Sequence, residues 1–141
     1  TKHPYGKGMA YYISGNYAET VVNERNILDY GRLLRRFCSV TSRPVVESDA
    51  PGLYEVVLRR QENRFLLHII NMTGAMARSI GRTVPLHDVP FRLDLSGFGI
   101  EKEIRTITPV CCGQLKDIHI EGSQAHFTLD KLDTWQILVI E

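Results

Sequence analysis

From position 53 to the C-terminus, apolar and polar residues alternate at period two rather than recurring every three or four positions. The segments 53–60 (LYEVVLRR), 64–72 (RFLLHIINM), 91–95 (FRLDL), 104–110 (IRTITPV), 115–120 (LKDIHI), 124–129 (QAHFTL) and 135–140 (WQILVI) each read as a strand. Residues 62–64 (Glu-Asn-Arg) and 121–123 (Glu-Gly-Ser) are hairpin turns, which makes the strands that flank them antiparallel neighbours. Short strands with turns at regular spacing predict a mainly β fold, an antiparallel β-sandwich. The stretch 73–90 breaks the rhythm with Gly74, Gly81, Pro85 and Pro90. It is expected to be an irregular loop, the class of segment that most often carries binding.

The first third of the chain has a different period. Residues 7–14 (KGMAYYIS), between Gly6 and Gly15, predict a short buried strand. Residues 24–39 place Ile27, Leu28, Tyr30, Leu33, Leu34, Phe37 and Cys38 at helical spacing, so one amphipathic helix is expected. Asn23 is its candidate N-cap. Glu24 and Asp29 sit toward the positive end of the helix dipole, and Arg32, Arg35 and Arg36 sit toward the negative end. The change of period at Thr41-Ser42-Arg43-Pro44 marks a domain boundary, giving a strand–helix piece over 1–42 and a β-domain over 43–141.

Composition narrows the function classes. The 141 residues suffice for one full domain with a remnant of a neighbour, and 43% hydrophobic against 23% charged is ordinary for a chain that buries a core. Seventeen Lys and Arg against sixteen Asp and Glu leave a net charge of +1, which offers no electrostatic footprint for nucleic acid or an acidic membrane. No apolar run reaches the ~20 residues that span a bilayer, and Thr1-Lys2-His3-Pro4 does not read as a signal peptide. Three cysteines, two of them the adjacent Cys111 and Cys112, disfavour a disulfide framework and lead us to expect a reducing, cytoplasmic setting.

Candidate chemistry is sparse. The acids Asp88, Asp94, Glu101, Glu103, Asp117, Glu121, Asp130 and Asp133 are spread over strand ends and turns, and no spacing pairs them for glycosidic acid–base work. No catalytic residue is assigned. The five histidines match no zinc spacing, so no metal and no cofactor are expected; His119 and His126 fall on paired strands where they can face each other. Cys111-Cys112 lacks redox spacing and is expected to point one thiol in and one out. Asn71-Met72-Thr73 has the form of a glycosylation sequon, but it closes a strand and is discounted. Tyr11, Tyr12, Phe65 and Phe127 are expected to pack in the core. The residues that remain as ligand contacts are His87 and Asp88 in the 73–90 segment and Trp135 at the start of the last strand, with a carbohydrate as the ligand.

The order of segments carries a resemblance. GKGMAYYISGNY, the helix NERNILDYGRLLRRF, then VVLRRQENRFLLHIINMTG, PLHDVPFRLDL and the closing TWQILVIE resemble the C-terminal end of multidomain glycoside hydrolases related to beta-galactosidases that carry a trimerisation domain. In that family a (β/α)8 barrel is followed by a flavodoxin-like, glutamine-amidotransferase-like domain and then by a small β-domain. The resemblance implies that 1–42 is the strand–helix remnant of the α/β domain and 43–141 the terminal β-domain. It further implies a non-catalytic accessory role, with the other domains of the parent enzyme, or a second copy in a homo-oligomer, as partners. The alternative is a carbohydrate-binding module using the 73–90 segment.

Overall fold

The computed structural model describes residues 1–15, 19, 36, 44–48, 54–76, 79–96, 103–111 and 113–141. The chain divides into two compact units, Thr1–Ser42 and Arg43–Glu141. Among the described residues no helix is long and apolar enough to cross a membrane. The helix predicted over 24–39 lies outside the described residues, except that Arg36 has helical backbone.

In the first unit, β1 (Lys2–Tyr5) and β2 (Gly8–Tyr11) form an antiparallel hairpin around Gly6, whose φ of 58° suits the turn. This corrects the expected single buried strand over 7–14. The sequence 2–5 (KHPY) lacks an apolar alternation, so β1 was invisible to pattern reading, and the hairpin is exposed along almost its whole length. Tyr12, expected in the core, is 69% exposed, and Tyr11 is half-buried. Gly6 and Gly15 bracket an aromatic run whose composition alone suggested burial; pairing with so polar a neighbour supplies no second layer to bury it.

The second unit is the predicted antiparallel sandwich. One sheet runs β10 (Leu115–Glu121), β11 (Gln124–Leu132), β8 (Leu86–Asp94), β3 (Val46–Glu47). The other runs β4 (Tyr54–Gln61), β5 (Arg64–Asn71), β12 (Trp135–Ile140), β9 (Ile107–Pro109). Each face follows from alternation: Phe65, Leu67 and Ile69 on β5, Leu138 and Ile140 on β12, Val89, Phe91 and Leu93 on β8, and Ala125, Phe127 and Leu129 on β11 all point into one core. Burying each large side chain stabilises the fold by roughly 1.5–3 kcal/mol. Phe91 is central, stacked on Phe127 at 5.6 Å and meeting the edge of Tyr54 from the opposite sheet at 5.8 Å.

The expected loop over 73–90 is shorter than predicted. Ala75–Met76 (β6) pairs with Ser79–Ile80 (β7), and β8 already begins at Leu86. Pro85 and Pro90 suggested irregularity, yet Pro90 sits within β8, where its missing N–H falls on the β3 side and no described strand pairs with it. Asp94 donates its N–H to Val45 on the β3 side, and Leu95 donates to Ser123 on the β11 side. Residues 94, 92 and 90 therefore share the β3 side, and β3 ends at Glu47, opposite Arg92, before reaching Pro90.

Two irregularities shape the sheet that contains β8. The β10–β11 register shifts between Lys116 and His119, and Asp117 within the shift has φ 52°. This extra residue lets Leu115 and Ile120, five apart, both pack against the core. Asp88, also at φ 52°, interrupts the alternation of β8 without shifting its register against β11: Leu86 and Val89 both face inward while His87 and Asp88 are both exposed, and their partners Leu132 and Leu129 on β11 are likewise both buried.

Candidate functional site

Alternation leaves the outward face of the β10-β11-β8-β3 sheet polar and sets its residues in rows. One row runs His119, His126, Arg92, Glu47 across four strands, and the next runs Glu121, Gln124, Asp94. The expected cross-hairpin pairing of His119 with His126 is therefore present. Pro44, Glu47, Arg92, Leu93, Asp94, Gln124 and His126 line an open cleft of about 280 Å³. Asp94 is a fixed wall of it: one carboxylate oxygen accepts from the Ser96 N–H at 2.9 Å and its hydroxyl at 2.6 Å, and the other accepts from Gln124 Nε2 at 3.1 Å. The side chains of Glu47, Arg92 and His126 make no hydrogen bond or ion pair with a described residue.

His87 and Asp88, predicted as loop contacts, lie on β8, and Trp135 lies on β12 in the opposite sheet. His87 is paired in register with Lys131. Asp88 accepts a hydrogen bond from Lys116 Nζ at 3.1 Å, the lysine reaching from β10 past β11. That bond, and then the Asp88 charge behind it, hold the Lys116 ammonium above the usual lysine range, and the charges of Asp130 and Asp117 act in the same direction. Trp135 is 44% exposed on the outward side of its sheet, where its ring lies nearly parallel to His68 at 5.9 Å and 12°. The structure thus brings His87 and Asp88 together as neighbours and gives Trp135 a different companion.

What organises the end of the sandwich near the 73–84 segment is a residue that sequence reading dismissed only as a sequon. Asn71 is 3% exposed, and its Nδ2 donates to the carbonyls of Val84 (2.7 Å), Leu132 (3.1 Å) and Asp133 (2.7 Å). Its Oδ1 accepts from the Thr73 N–H and hydroxyl, and Thr73 Oγ1 accepts from the Val84 N–H at 2.8 Å. The sequon amide is wholly engaged in the fold. Gly74 closes the same segment, because a Cβ there would stand 2.7 Å from the Gly81 carbonyl oxygen.

Other acids hold backbone and turns. Asp130 Oδ1 accepts from the Gln114 N–H at 2.6 Å, and Asp133 pairs with Lys131 at 2.9 Å. Among the described residues no group of three His, Cys, Asp or Glu is placed to hold a metal ion. Cys111 is an exposed free thiol, and Cys112 lies outside the described residues.

No protein-family model matches the chain, and no curated protein matches it in sequence. Solved structures do match it in fold. The alpha-L-fucosidase isoenzyme 2 from Paenibacillus thiaminolyticus superposes with a TM-score of 0.69 at 17% identity over 96% of this chain. A cycloisomaltooligosaccharide glucanotransferase from Paenibacillus sp., solved with cycloisomaltoheptaose, superposes with a TM-score of 0.50 at 14% identity over 67% of this chain. This chain spans 21% and 16% of those two chains, respectively. At such identities the likeness is one of fold: the chain has an antiparallel β-sandwich architecture that also occurs within these two carbohydrate-active proteins.

Proposed function

We propose that the chain is an accessory β-domain of a glycoside-active enzyme, non-catalytic in itself, acting through contacts with neighbouring domains or with a second copy. The observation that carries this reading is the recurrence of the fold as about a fifth of a fucosidase chain at 96% coverage of this one. The roles of the acids support it: Asp88, Asp94, Asp130 and Asp133 are engaged with Lys116, with Ser96 and Gln124, with Gln114, and with Lys131. A glycosidase instead needs two carboxyl groups facing each other across a substrate. The beta-galactosidase-like parent with a trimerisation domain is the finer form of the same proposal, resting on the segment order alone. A second reading, carbohydrate binding near the 73–90 segment, draws support from the exposed Trp135 ring stacked on His68.

An antibody against this chain, used on lysate of the source cells, tests the accessory role. It should capture a species several times heavier than 16.1 kDa that carries glycosidase activity. A native product of 16.1 kDa would overturn the reading.

A further inference from the structure

We infer that the cleft between β3, β8 and β11 is a weak binding site for one neutral pyranose, recognised through adjacent ring hydroxyls. The accessory-domain reading supplies only the choice of probe sugars. The site itself rests on what lines the cleft.

Five hydrogen-bonding side chains converge on it: Glu47, Arg92, Asp94, Gln124 and His126. They come from three adjacent strands, and sheet geometry fixes their spacing. Strands lie about 4.8 Å apart, so the Cα atoms of Glu47 and His126 stand about 10 Å from each other with Arg92 between them. A planar guanidinium between a carboxylate and an imidazole presents donors and acceptors side by side, which is what neighbouring hydroxyls require, since each hydroxyl both donates and accepts.

Three of the five have hydrogen-bonding capacity to spare, because Glu47, Arg92 and His126 have no side-chain partner among the described residues. The fourth and fifth are held in place by each other, through the Gln124–Asp94 bond at 3.1 Å and the Ser96 clasp on Asp94. The site is therefore part rigid wall and part unsatisfied donors and acceptors, an arrangement that lowers the ordering cost of binding.

Charge and size select the ligand class. Among the described lining residues two carboxylates stand against one guanidinium, an acidic balance that opposes a sugar acid or a phosphate. The volume of about 280 Å³ lies at the lower limit of small-molecule pockets, near 300 Å³, so it suits a single ring rather than an oligosaccharide. Among the described residues no Trp, Tyr or Phe lines it, so the site relies on hydrogen bonds rather than stacking and the expected dissociation constant is in the millimolar range.

The test is an amide-resolved NMR titration of the full chain with methyl α-L-fucoside, methyl β-D-galactoside and methyl α-D-glucoside, each to about 50 mM, with sodium glucuronate as the charged control. The expected result is saturable shifts of the Glu47, Arg92, Gln124 and His126 amides with at least one neutral glycoside. Arg92→Ala and Glu47→Gln, both exposed and outside the core, should weaken that binding about tenfold each with otherwise unchanged spectra. Arg59→Ala, on the other sheet, should leave it unaltered. The inference is overturned if no neutral glycoside shifts these amides saturably, if the shifts centre on Trp135 and His68 instead, if glucuronate binds more tightly than the neutral glycosides, or if either cleft variant binds as the parent does. A native product of 16.1 kDa together with a saturable cleft would remove the accessory role and leave this site standing.

Discussion

Among the described residues Asn71 and Gln136 are the buried polar residues of the sandwich, and they differ in how their amides are satisfied. The Asn71 side chain bonds three carbonyls and Thr73, so Asn71→Ala strands those acceptors away from water. It should lower stability by about 3 kcal/mol in urea unfolding, a large effect for one polar side chain. Gln136 is fully buried on β12, and its Nε2 and Oε1 have no hydrogen-bond partner among the described residues. Gln136→Leu keeps the volume and removes the unpaired amide, so the unfolding midpoint should rise, by about 1–2 kcal/mol in stability. Period two in WQILVI already aims Gln136 inward beside Leu138 and Ile140, whereas nothing local tells that its amide has no partner. Asn71 was legible only as a strand-closing residue, because its carbonyl partners at 84, 132 and 133 are distant in sequence.

At the scale of elements, the turns and bulges concentrate the local conflicts. Glu62 turns the β4–β5 hairpin at φ 50°, a region that disfavours a residue with a Cβ and no local hydrogen-bonding advantage. Glu62→Gly should stabilise the hairpin by about 0.5–1 kcal/mol, read as a higher melting temperature. Asp88 and Asp117 tolerate the same conformation better, and Asp88 is further tied to Lys116 across β11. The lysine's raised pKa means that the pair favours the fold below the ordinary lysine value and ceases to do so as pH rises through the raised one. Both partners are exposed, so the stability effect is slight; the measurement is the Lys116 side-chain titration by NMR, whose midpoint should fall toward the ordinary value in Asp88→Asn. The strand periods of 64–72, 115–120, 124–129 and 135–140 translated directly into elements. The interruptions at Asp88 and Asp117 did not, since a one-residue break in alternation inverts the facing of everything beyond it.

For the whole molecule, the second unit has its own core drawn from both sheets, and every described core residue belongs to that unit. Residues 43–141 produced alone should unfold in one cooperative transition and keep the β-type circular dichroism spectrum of the full chain. A noncooperative, molten fragment would show that the first unit is needed for the fold. Hydrogen exchange should be slowest at Leu67, Ile69, Phe127 and Leu138, which sit on strands paired on both sides, and fast in β1 and β2.

Alternation along 53–140 by itself determined the fold class, most strands, the two hairpins and the inward set Phe65, Leu67, Ile69, Phe127, Leu129 and Leu138, because side-chain facing in a strand is a local consequence of backbone geometry. Only the tertiary structure decided that Pro90 has its missing N–H on the β3 side of β8, that Asp88 faces Lys116 while Trp135 faces His68, and that Glu47, Arg92, Asp94, Gln124 and His126 share one cleft. The cleft joins β3, β8 and β11 through strand pairs as far apart in sequence as Gln124 and Asp94 or Val46 and Leu93. The order of strands within a sheet depends on how all the apolar faces are buried at once, and no local pattern encodes it.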